Sequence, residues 1–290
     1  MVPVLTLLDR WLEPFMNTLR VYGPHTIKVL LSYLAYRLGR QWAPRVSIKG
    51  FSVREPWPVL RYIRELYLRG HRLLGREGDA YIVGFYGYKV LVPRGEDLGV
   101  FIEDFDEIYG LGEGYKGKRV LDIGGFLGET AMYFLYRGAS AVTVYEPHPL
   151  FYETLLQNIE LNGLTDRIRA KRKAICLGED RSSLKGESVA FGLLGNGQEV
   201  EAFEVECEHA GKALSENSAD IAKFNCEGCE YYLIGLDCET LRSIRHYIIE
   251  IHGSPQPLIN RLAQCGFTAR FRKEVDRLIS VYEFSTQGNA

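Results

Sequence analysis

The feature that most constrains this chain is a short apolar run that leads directly into closely spaced glycines. Residues 120–123 (Val-Leu-Asp-Ile) precede Gly124, Gly125 and Gly128, and an apolar stretch with helical spacing follows. Glycine tolerates positive φ and lets backbone approach a ligand closely, and a helix that begins here exposes amides. The motif therefore predicts a strand, a tight turn and a helix that together cradle a nucleotide.

The acid inside this motif indicates which nucleotide. Asp122 stands where a dinucleotide site has the first of its glycines, and a carboxylate there would repel a pyrophosphate. S-adenosyl-L-methionine carries an ammonium and a sulfonium but no phosphate, so an acid at this turn suits it. We expect Asp122 either to contact the amino-acid part of that cofactor or to order the turn.

A second acid lies at the end of the next predicted strand. Glu146 follows Asp122 by 24 residues, close to the roughly 20-residue offset of a ribose-binding acid. Lys173 and Ala174 are predicted to end the third strand and to border the adenine ring. The full predicted cofactor-binding set is Asp122, Gly124, Gly125, Phe126, Gly128, Glu129, Thr130, Glu146, Pro147, Lys173, Ala174 and Asn225.

After Gly117, apolar runs alternate with helical stretches, which is typical of an α/β protein with a parallel sheet. The predicted fold is Rossmann-like and of the class I methyltransferase type, with a terminal antiparallel hairpin at 267–271 and 278–284. Residues 178–199, rich in Gly and Ser, are predicted to be a loop. The predicted strands are 119–123, 141–145, 168–176, 219–225 and 246–251, and the predicted helices are 128–136, 149–162, 228–235 and 255–265.

Over residues 101–284 the chain resembles the FkbM-type methyltransferases. The resemblance rests on four motifs in the family's order: residues 120–130, Glu-Pro-His-Pro at 146–149, residues 155–162, and Lys-Phe-Asn-Cys-Glu-Gly-Cys-Glu at 223–230. It implies an S-adenosylmethionine-dependent O-methyltransferase acting on hydroxyls of sugars, polyketides or lipid-linked acceptors. The fourth motif departs from the family, because Asn225 stands where Asp is usual and an amide cannot take a proton.

In an open parallel sheet, ligands lie beyond the carboxyl ends of the strands. This rule selects Asn225 and Glu227 after the fourth strand, and Glu250 and His252 after the fifth, as the catalytic candidates. His252 is the first choice for a general base, because its ordinary pKa lies near neutrality, and Glu227 is the second. Each also has a purely structural interpretation, and Lys223 is expected to point away from the site.

Cys226 and Cys229 form a Cys-x-x-Cys, but neither a second such pair nor a paired His motif completes a zinc site, so no metal is predicted. The six cysteines are expected to be reduced, which favours a cytoplasmic protein. No signal peptide or membrane-spanning run is evident. Asn and Gln together number only 14, a hint of a thermophilic source.

The charge is unevenly divided along the chain. Residues 1–80 hold 13 Lys or Arg against 6 Asp or Glu, a net charge of +7, which leaves −9 for the remainder. Three parts are predicted: a basic helical region at 1–79, a small β element at 80–116, and the cofactor-binding domain at 117–290. The basic region has three interpretations: RNA binding, contact with a membrane or lipid-linked acceptor, or a cap or oligomer contact.

Three functions remain open at this point. The first is methylation of a hydroxyl on a small, sugar-like or lipid-linked acceptor, and the second is methylation of RNA held by the basic region. The third is cofactor binding without transfer, which Asn225 suggests because an amide replaces the usual acid. All three require S-adenosyl-L-methionine, and the oligomeric state is left undetermined.

Overall fold

The computed structural model describes residues 4–112, 114–177, 182–184 and 203–286. Contacts between Cα atoms divide the chain into two compact units. The first unit comprises residues 1–85 and 89–103, and the second comprises residues 86–88 and 104–290. The division predicted from the sequence, with boundaries after residues 79 and 116, remains a proposal.

The first unit contains β-strands as well as the helices that were predicted for it. Its helices are α1 (Val4–Tyr22), α2 (Thr26–Arg37) and α3 (Trp57–Leu68), with a 3₁₀ turn at Gly23–His25. Gly23 and Pro24 lie between α1 and α2, and α3 begins directly after Pro56. The helical region predicted for 1–79 is thus confirmed in part, because three strands form there beside the helices: β1 (Arg45–Ile48), β2 (Phe51–Arg54) and β3 (Arg72–Glu77).

Two small sheets accompany these helices. β1 and β2 form an antiparallel hairpin whose turn contains Lys49 and Gly50, both with positive φ. β3 joins β4 (Ala80–Phe85) and β5 (Tyr88–Val92) in a three-stranded sheet in the order β3-β4-β5. The β element predicted at 80–116 is therefore joined by a strand from residues 72–77, and a 3₁₀ helix, Gly95–Ile102, follows β5.

The second unit is built on a seven-stranded sheet with the order β14-β15-β13-β12-β6-β7-β8. Five neighbouring strands run parallel, and β15 and β14 add an antiparallel pair at one edge. This confirms an α/β fold with a mostly parallel sheet and a terminal antiparallel hairpin. The strands are β6 (Arg119–Ile123), β7 (Ala141–Tyr145), β8 (Ile168–Lys171), β12 (Ile221–Phe224), β13 (His246–His252), β14 (Phe267–Asp276) and β15 (Ile279–Thr286).

A second sheet of three strands stands apart from the main one. It has the order β10-β11-β9, formed by β9 (Lys173–Cys176), β10 (Ser182–Leu184) and β11 (Phe203–His209). The predicted third strand at 168–176 is therefore two strands that break at Arg172 and belong to different sheets. The loop predicted for 178–199 lies outside the described residues, except for β10.

Among its described residues the second unit has six α-helices, of which α5, α6 and α9 begin within one residue of their predicted positions and the other three were not predicted. They are α4 (Phe105–Tyr109), α5 (Glu129–Tyr136), α6 (Pro149–Leu161), α7 (Ala210–Glu216), α8 (Cys238–Arg242) and α9 (Gln256–Gln264). The segment after β12 is a 3₁₀ helix, Cys229–Gly235, where an α-helix was expected. None of the described helices is long and apolar enough to cross a bilayer.

Candidate active site

The turn after β6, residues 124–128, is called the elbow. Two of its positions require glycine. Gly124 has φ +79°, and a Cβ placed on it would lie 1.8 Å from the carbonyl oxygen of Asn225. Gly128 has φ +90°, and its Cβ would lie 2.6 Å from Cδ1 of Leu155. The glycines predicted for ligand approach are therefore also required for the elbow to pack against the protein.

Asp122 orders this elbow from inside. Its carboxylate is fully buried, its Oδ1 lies 2.9 Å from Nζ of Lys223, and its Oδ2 accepts a hydrogen bond of 2.6 Å from the hydroxyl of Thr130. Lys223 also donates to the carbonyl oxygen of Gly124 at 2.6 Å. The second of the two roles expected for Asp122, ordering the turn, is the one that this geometry supports.

Lys223 does not point away from the site. The register of β12 on β6 pairs Lys223 with Asp122, and both side chains are buried on the same face of the sheet. The sequence shows only that a lysine precedes the Asn-Cys-Glu segment, so its role as counter-ion for Asp122 depends on strand pairing. Lys223 therefore belongs to the framework that holds the cofactor turn.

The amides of the elbow are largely used by the protein itself. Gly124 and Gly125 donate to the carbonyl of Tyr145, Phe126 donates to Glu146, and Leu127 donates to Glu129. The expectation of open amides is wrong for these four groups, because strand β7 and two acidic side chains already satisfy them. Glu129 and Thr130 are buried and directed at the elbow, where they stabilise its shape.

The carboxylate of Glu146 lies beside the elbow and can accept further hydrogen bonds. It is buried at the end of β7, where Oε2 accepts from the amide of Phe126 and Oε1 accepts from the amide of His148, both at 2.8 Å. Burial raises the pKa of this carboxyl to about 7, although both amides act to lower it. Because a carboxylate offers about four acceptor positions, each oxygen retains capacity for a further donor.

These properties fit the ribose of S-adenosyl-L-methionine. Two vicinal hydroxyls would supply the donors that the buried carboxylate of Glu146 lacks, and they would favour its charged form. Pro147 follows directly in the turn to α6, which begins at Pro149. Glu146, Pro147 and the elbow are therefore the part of the predicted cofactor set that the structure brings together.

Lys173 and Ala174 are not at the edge of the main sheet. The third strand of that sheet ends at Lys171, whose carbonyl accepts from the amide of Glu146. Lys173 and Ala174 lie in β9, which pairs in parallel with β11, and Nζ of Lys173 lies 3.5 Å from a carboxylate oxygen of Glu208. The assignment of Lys173 and Ala174 to the third strand of the main sheet is therefore wrong, because the chain leaves that sheet after Lys171, and their contact with the adenine remains a prediction.

A cluster of acidic side chains surrounds His252 at the ends of β12 and β13. Nδ1 of His252 lies 3.2 Å from Oε1 of Glu230, while Nε2 lies 3.4 Å from Glu227 and 3.6 Å from Glu250. Glu230 is fully buried and also accepts from the backbone amide of His252 at 2.8 Å. We refer to Glu227, Glu230, Glu250 and His252 as the His252 cluster.

The cluster favours a charged imidazole. Burial alone would lower the pKa of His252, but the hydrogen bonds and charges of Glu230, Glu250 and Glu227 raise it to about 10. The same contacts lower the pKa of Glu230 against the opposing effect of burial, whereas burial raises the pKa of Glu227. At neutral pH an imidazolium has no lone pair for a proton, so the arrangement argues against His252 as the general base.

Glu227 is held in an unusual backbone conformation. Its φ is +56°, in the left-handed region, and Gly228 follows with φ +114°. A disulfide between Cys226 and Cys229 closes this short loop, and the amide of Gly228 donates to Glu230 at 2.8 Å. The side chain of Glu227 remains about 30% exposed, in contrast to 10% for Glu250. Glu227 is therefore the member of the cluster with the freest access to a ligand.

The disulfide corrects the expectation that all six cysteines are reduced. A second disulfide joins Cys238 to Cys265, while Cys176 and Cys207 are not disulfide-bonded. The close approach of these pairs depends on the fold and is not visible in their spacing. The predicted cytoplasmic location loses the support that it drew from reduced cysteines.

Asn225 connects the two parts of the site. It follows β12, which lies between β6 and β13 in the sheet. Its backbone amide donates to the carbonyl of Ile123 at 3.0 Å. Its side chain is half-buried, at the strand end between the elbow and the His252 cluster. Within residues 4–112, 114–177, 182–184 and 203–286, no group of three or more His, Cys, Asp or Glu is arranged to hold a metal ion.

Glu230 is the cluster member that sequence reasoning left without a role. It was visible as the last residue of the motif at 223–230, but its contact with His252 joins positions 22 residues apart. The only available signal was a glutamate two residues after the glycine of that motif. Its full burial beside the histidine requires the 3₁₀ segment that follows Gly228.

Several solved methyltransferase structures are similar to this chain at low identity. The m1A22 tRNA methyltransferase TrmK of B. subtilis is 12% identical, with a TM-score of 0.39, over 59% of this chain and 61% of that one. TrmK of M. capricolum, in complex with S-adenosyl-homocysteine, is 15% identical with a TM-score of 0.36, over 59% and 62% respectively. This chain thus spans about three fifths of the length of these proteins.

The ribosomal protein L11 methylase of Lactobacillus delbrueckii subsp. bulgaricus is 16% identical, with a TM-score of 0.34, over 59% of this chain and 72% of that one. Similarity this low does not indicate which methyl acceptor this chain uses. The family match is decisive instead: the model of the methyltransferase FkbM domain matches residues 122–274, just over half of the chain, from Asp122 through the His252 cluster into β14. The chain therefore belongs to the FkbM methyltransferase family and is an S-adenosylmethionine-dependent methyltransferase.

Proposed function

We propose that this methyltransferase methylates a hydroxyl on a small, sugar-like or lipid-linked acceptor, with Glu227 as the general base. The observation that carries the proposal is the partly exposed carboxylate of Glu227 beside the imidazole of His252, at the sheet edge next to the cofactor elbow. A hydroxyl must lose its proton as it attacks a methyl group, so a base at this place has a defined task.

The cofactor supplies an electrophilic methyl group on a sulfonium when bound. Glu146 would accept hydrogen bonds from its ribose hydroxyls, and the elbow, held by Asp122, Thr130 and Lys223, would shape the surface below it. Asn225 stands between this surface and the acceptor side, where its amide group can donate and accept. The chain's contribution is chiefly to hold two reactants in line, which can account for a large part of the rate.

Glu227 would take the acceptor's proton at Oε2, the atom nearest to Nε2 of His252. The imidazolium of His252 keeps that carboxylate ionised against the effect of burial, since its charge lowers the pKa of Glu227. Glu230 and Glu250 in turn hold the imidazole in its charged form. His252 is thus a positioning residue in this proposal, and Glu250 acts through it.

The proposal is tested by incubating the full chain with methyl-labelled S-adenosylmethionine and separate lipid, glycan and RNA fractions. Label in the glycan or lipid fraction is expected. Label confined to RNA would overturn the hydroxyl-acceptor proposal in favour of a nucleic-acid substrate. Bound cofactor with label in no fraction would favour the third hypothesis, a cofactor-binding protein in which Asn225 has ended transfer.

The role of Glu227 is tested on the labelled fraction by Glu227→Gln. The variant should lose about 10²- to 10⁴-fold in kcat, the usual range for a general base, with its affinity for S-adenosylhomocysteine unchanged. Glu274→Gln is the matched control, because Glu274 is exposed on β14. The substitution makes the same chemical change outside the His252 cluster. A Glu227→Gln enzyme with the parental kcat would remove Glu227 from the mechanism.

A further inference from the structure

Helix α2 presents an apolar stripe to solvent. Ile27, Leu31, Leu34 and Leu38, the residue that caps the helix, are 70%, 48%, 54% and 76% exposed. At about 100° per residue, these four positions fall within about 60° of one another around the helix. We refer to them as the α2 stripe.

The α2 stripe lies opposite the face by which α2 joins its own unit. Val29 and Ser32 are buried, and the helical angle places them on the far side of the helix from the stripe. The basic side chains of Lys28 and Arg37 fall between the two faces, one on each flank of the stripe. The side of α2 that carries the stripe is thus left uncovered within the described residues.

The neighbouring segments add further exposed apolar side chains. On α1, which contacts α2, three side chains are between 41% and 53% exposed, and the aromatic rings of Tyr36 and Trp42 near the end of α2 are 51% and 41% exposed. Exposed apolar groups of this number in one region mark a binding surface, whereas single ones are ordinary. The three α1 side chains are Phe15, Met16 and Leu19.

The charge around the α2 stripe has one sign. From residue 14 to residue 54 the sequence contains seven Lys or Arg and no Asp or Glu. Arg20, Lys28, Arg37, Arg40 and Arg45 are exposed and form no ion pair within the described part of the chain, and Arg37 contacts the ring and hydroxyl of Tyr33. The stripe is therefore bordered by cations whose charge is available to a partner.

We infer that the α2 stripe docks this protein on an anionic lipid bilayer, with Leu and Ile side chains among the acyl chains and the basic residues at the headgroups. Apolar side chains flanked by Lys and Arg, with Trp and Tyr at the boundary, are the pattern of interfacial helices. A second copy of the chain would bring the same cations together, and RNA would leave the aliphatic stripe in water. The inference concerns the first unit alone and is independent of the acceptor's identity.

Vesicle co-sedimentation of the full chain tests this inference. Vesicles of phosphatidylcholine alone are compared with vesicles containing roughly one third phosphatidylglycerol, a fraction that gives a strongly negative surface. The chain should bind the anionic vesicles, and binding should weaken in high salt because the basic flanks are screened. Ile27→Gln/Leu31→Gln/Leu34→Gln should reduce the partition coefficient by at least about tenfold, since three apolar anchors are lost.

Two control variants make the result specific. Leu156→Gln/Leu161→Gln/Leu278→Gln removes three exposed apolar side chains from the second unit and should bind as the parent does. Lys28→Gln/Arg37→Gln/Arg40→Gln keeps the stripe but should lose about fivefold in anionic-vesicle binding for each charge removed. All replaced side chains are exposed, so circular dichroism should show each variant folded.

Four outcomes would overturn the inference. The first is a parent chain that stays in the supernatant with both vesicle types, and the second is a stripe variant that binds anionic vesicles as tightly as the parent. A parent that is dimeric by light scattering, binds no vesicle and becomes monomeric in the stripe variant would assign the stripe to a second copy. Retention of RNA that depends on the stripe, without vesicle binding, would likewise refute lipid docking.

Discussion

Replacing Lys223 by Met should strongly destabilise the second unit. The ammonium of Lys223 and the carboxylate of Asp122 are 1% and 0% exposed, with Nζ and Oδ1 2.9 Å apart. Breaking a buried pair leaves one charge without its counter-ion, which costs about 3–5 kcal/mol. At roughly 2–4 °C per kcal/mol for a unit of this size, Lys223→Met should lower the melting temperature by about 6–20 °C.

The effect is measured by scanning calorimetry and localised by hydrogen exchange of the amides in β6 and β12. Lys273→Met is the matched control, because Lys273 pairs with Glu107 while both side chains remain partly exposed. Such a pair contributes below about 1 kcal/mol. The double variant Asp122→Asn/Lys223→Met removes both charges and should recover part of the loss. A Lys223→Met loss no greater than that of Lys273→Met would refute the buried-pair account.

Three further predictions follow from the same geometry. The kcat of the enzyme should rise with pH as Glu227 ionises, at a pKa above its ordinary value because of burial, and should hold until His252 loses its proton near pH 10; a fall across neutral pH would contradict this. Cys226→Ser/Cys229→Ser should lower kcat without changing the KM for S-adenosylmethionine. Cys238→Ser/Cys265→Ser removes the disulfide between residues 27 positions apart, so it should lower the free energy of unfolding by about 3–4 kcal/mol and leave kcat unchanged. Gly124→Ala should cost about 2–6 kcal/mol in denaturant unfolding, because strain adds to a clash with Asn225. Gly163→Ala, with φ +62° and open space around it, should cost only about 1–2 kcal/mol.

The sequence was most informative where local pattern and tertiary structure agree. β6 and β7 begin and end at the predicted residues, because each is a short apolar run bounded by turn residues. The elbow and Glu146 followed from the same local signals. Asp122 could be recognised as part of the cofactor turn, and its two candidate roles were separated only by the contacts of Thr130 and Lys223.

Features that depend on long-range pairing could not be predicted. Lys173 and Ala174 continue an apolar pattern from β8, but their strand pairs with β11, some thirty positions further along the chain. The disulfide between Cys238 and Cys265 and the contact of Glu230 with His252 likewise join distant positions. The protonation of His252 depends on three carboxylates that only the fold assembles, which is why an ordinary pKa suggested a base.

We expect Glu146, in its ionised form, to hold the cofactor's ribose beside the elbow. Calorimetric titration with S-adenosylhomocysteine at pH 6 and pH 8 tests it most directly. Because the pKa of Glu146 is about 7, the affinity should rise about tenfold between these pH values. Glu146→Gln should bind more weakly and lose the pH dependence. Equal affinity of the parent at both pH values, or unchanged binding by Glu146→Gln, would show that Glu146 does not hold the ribose.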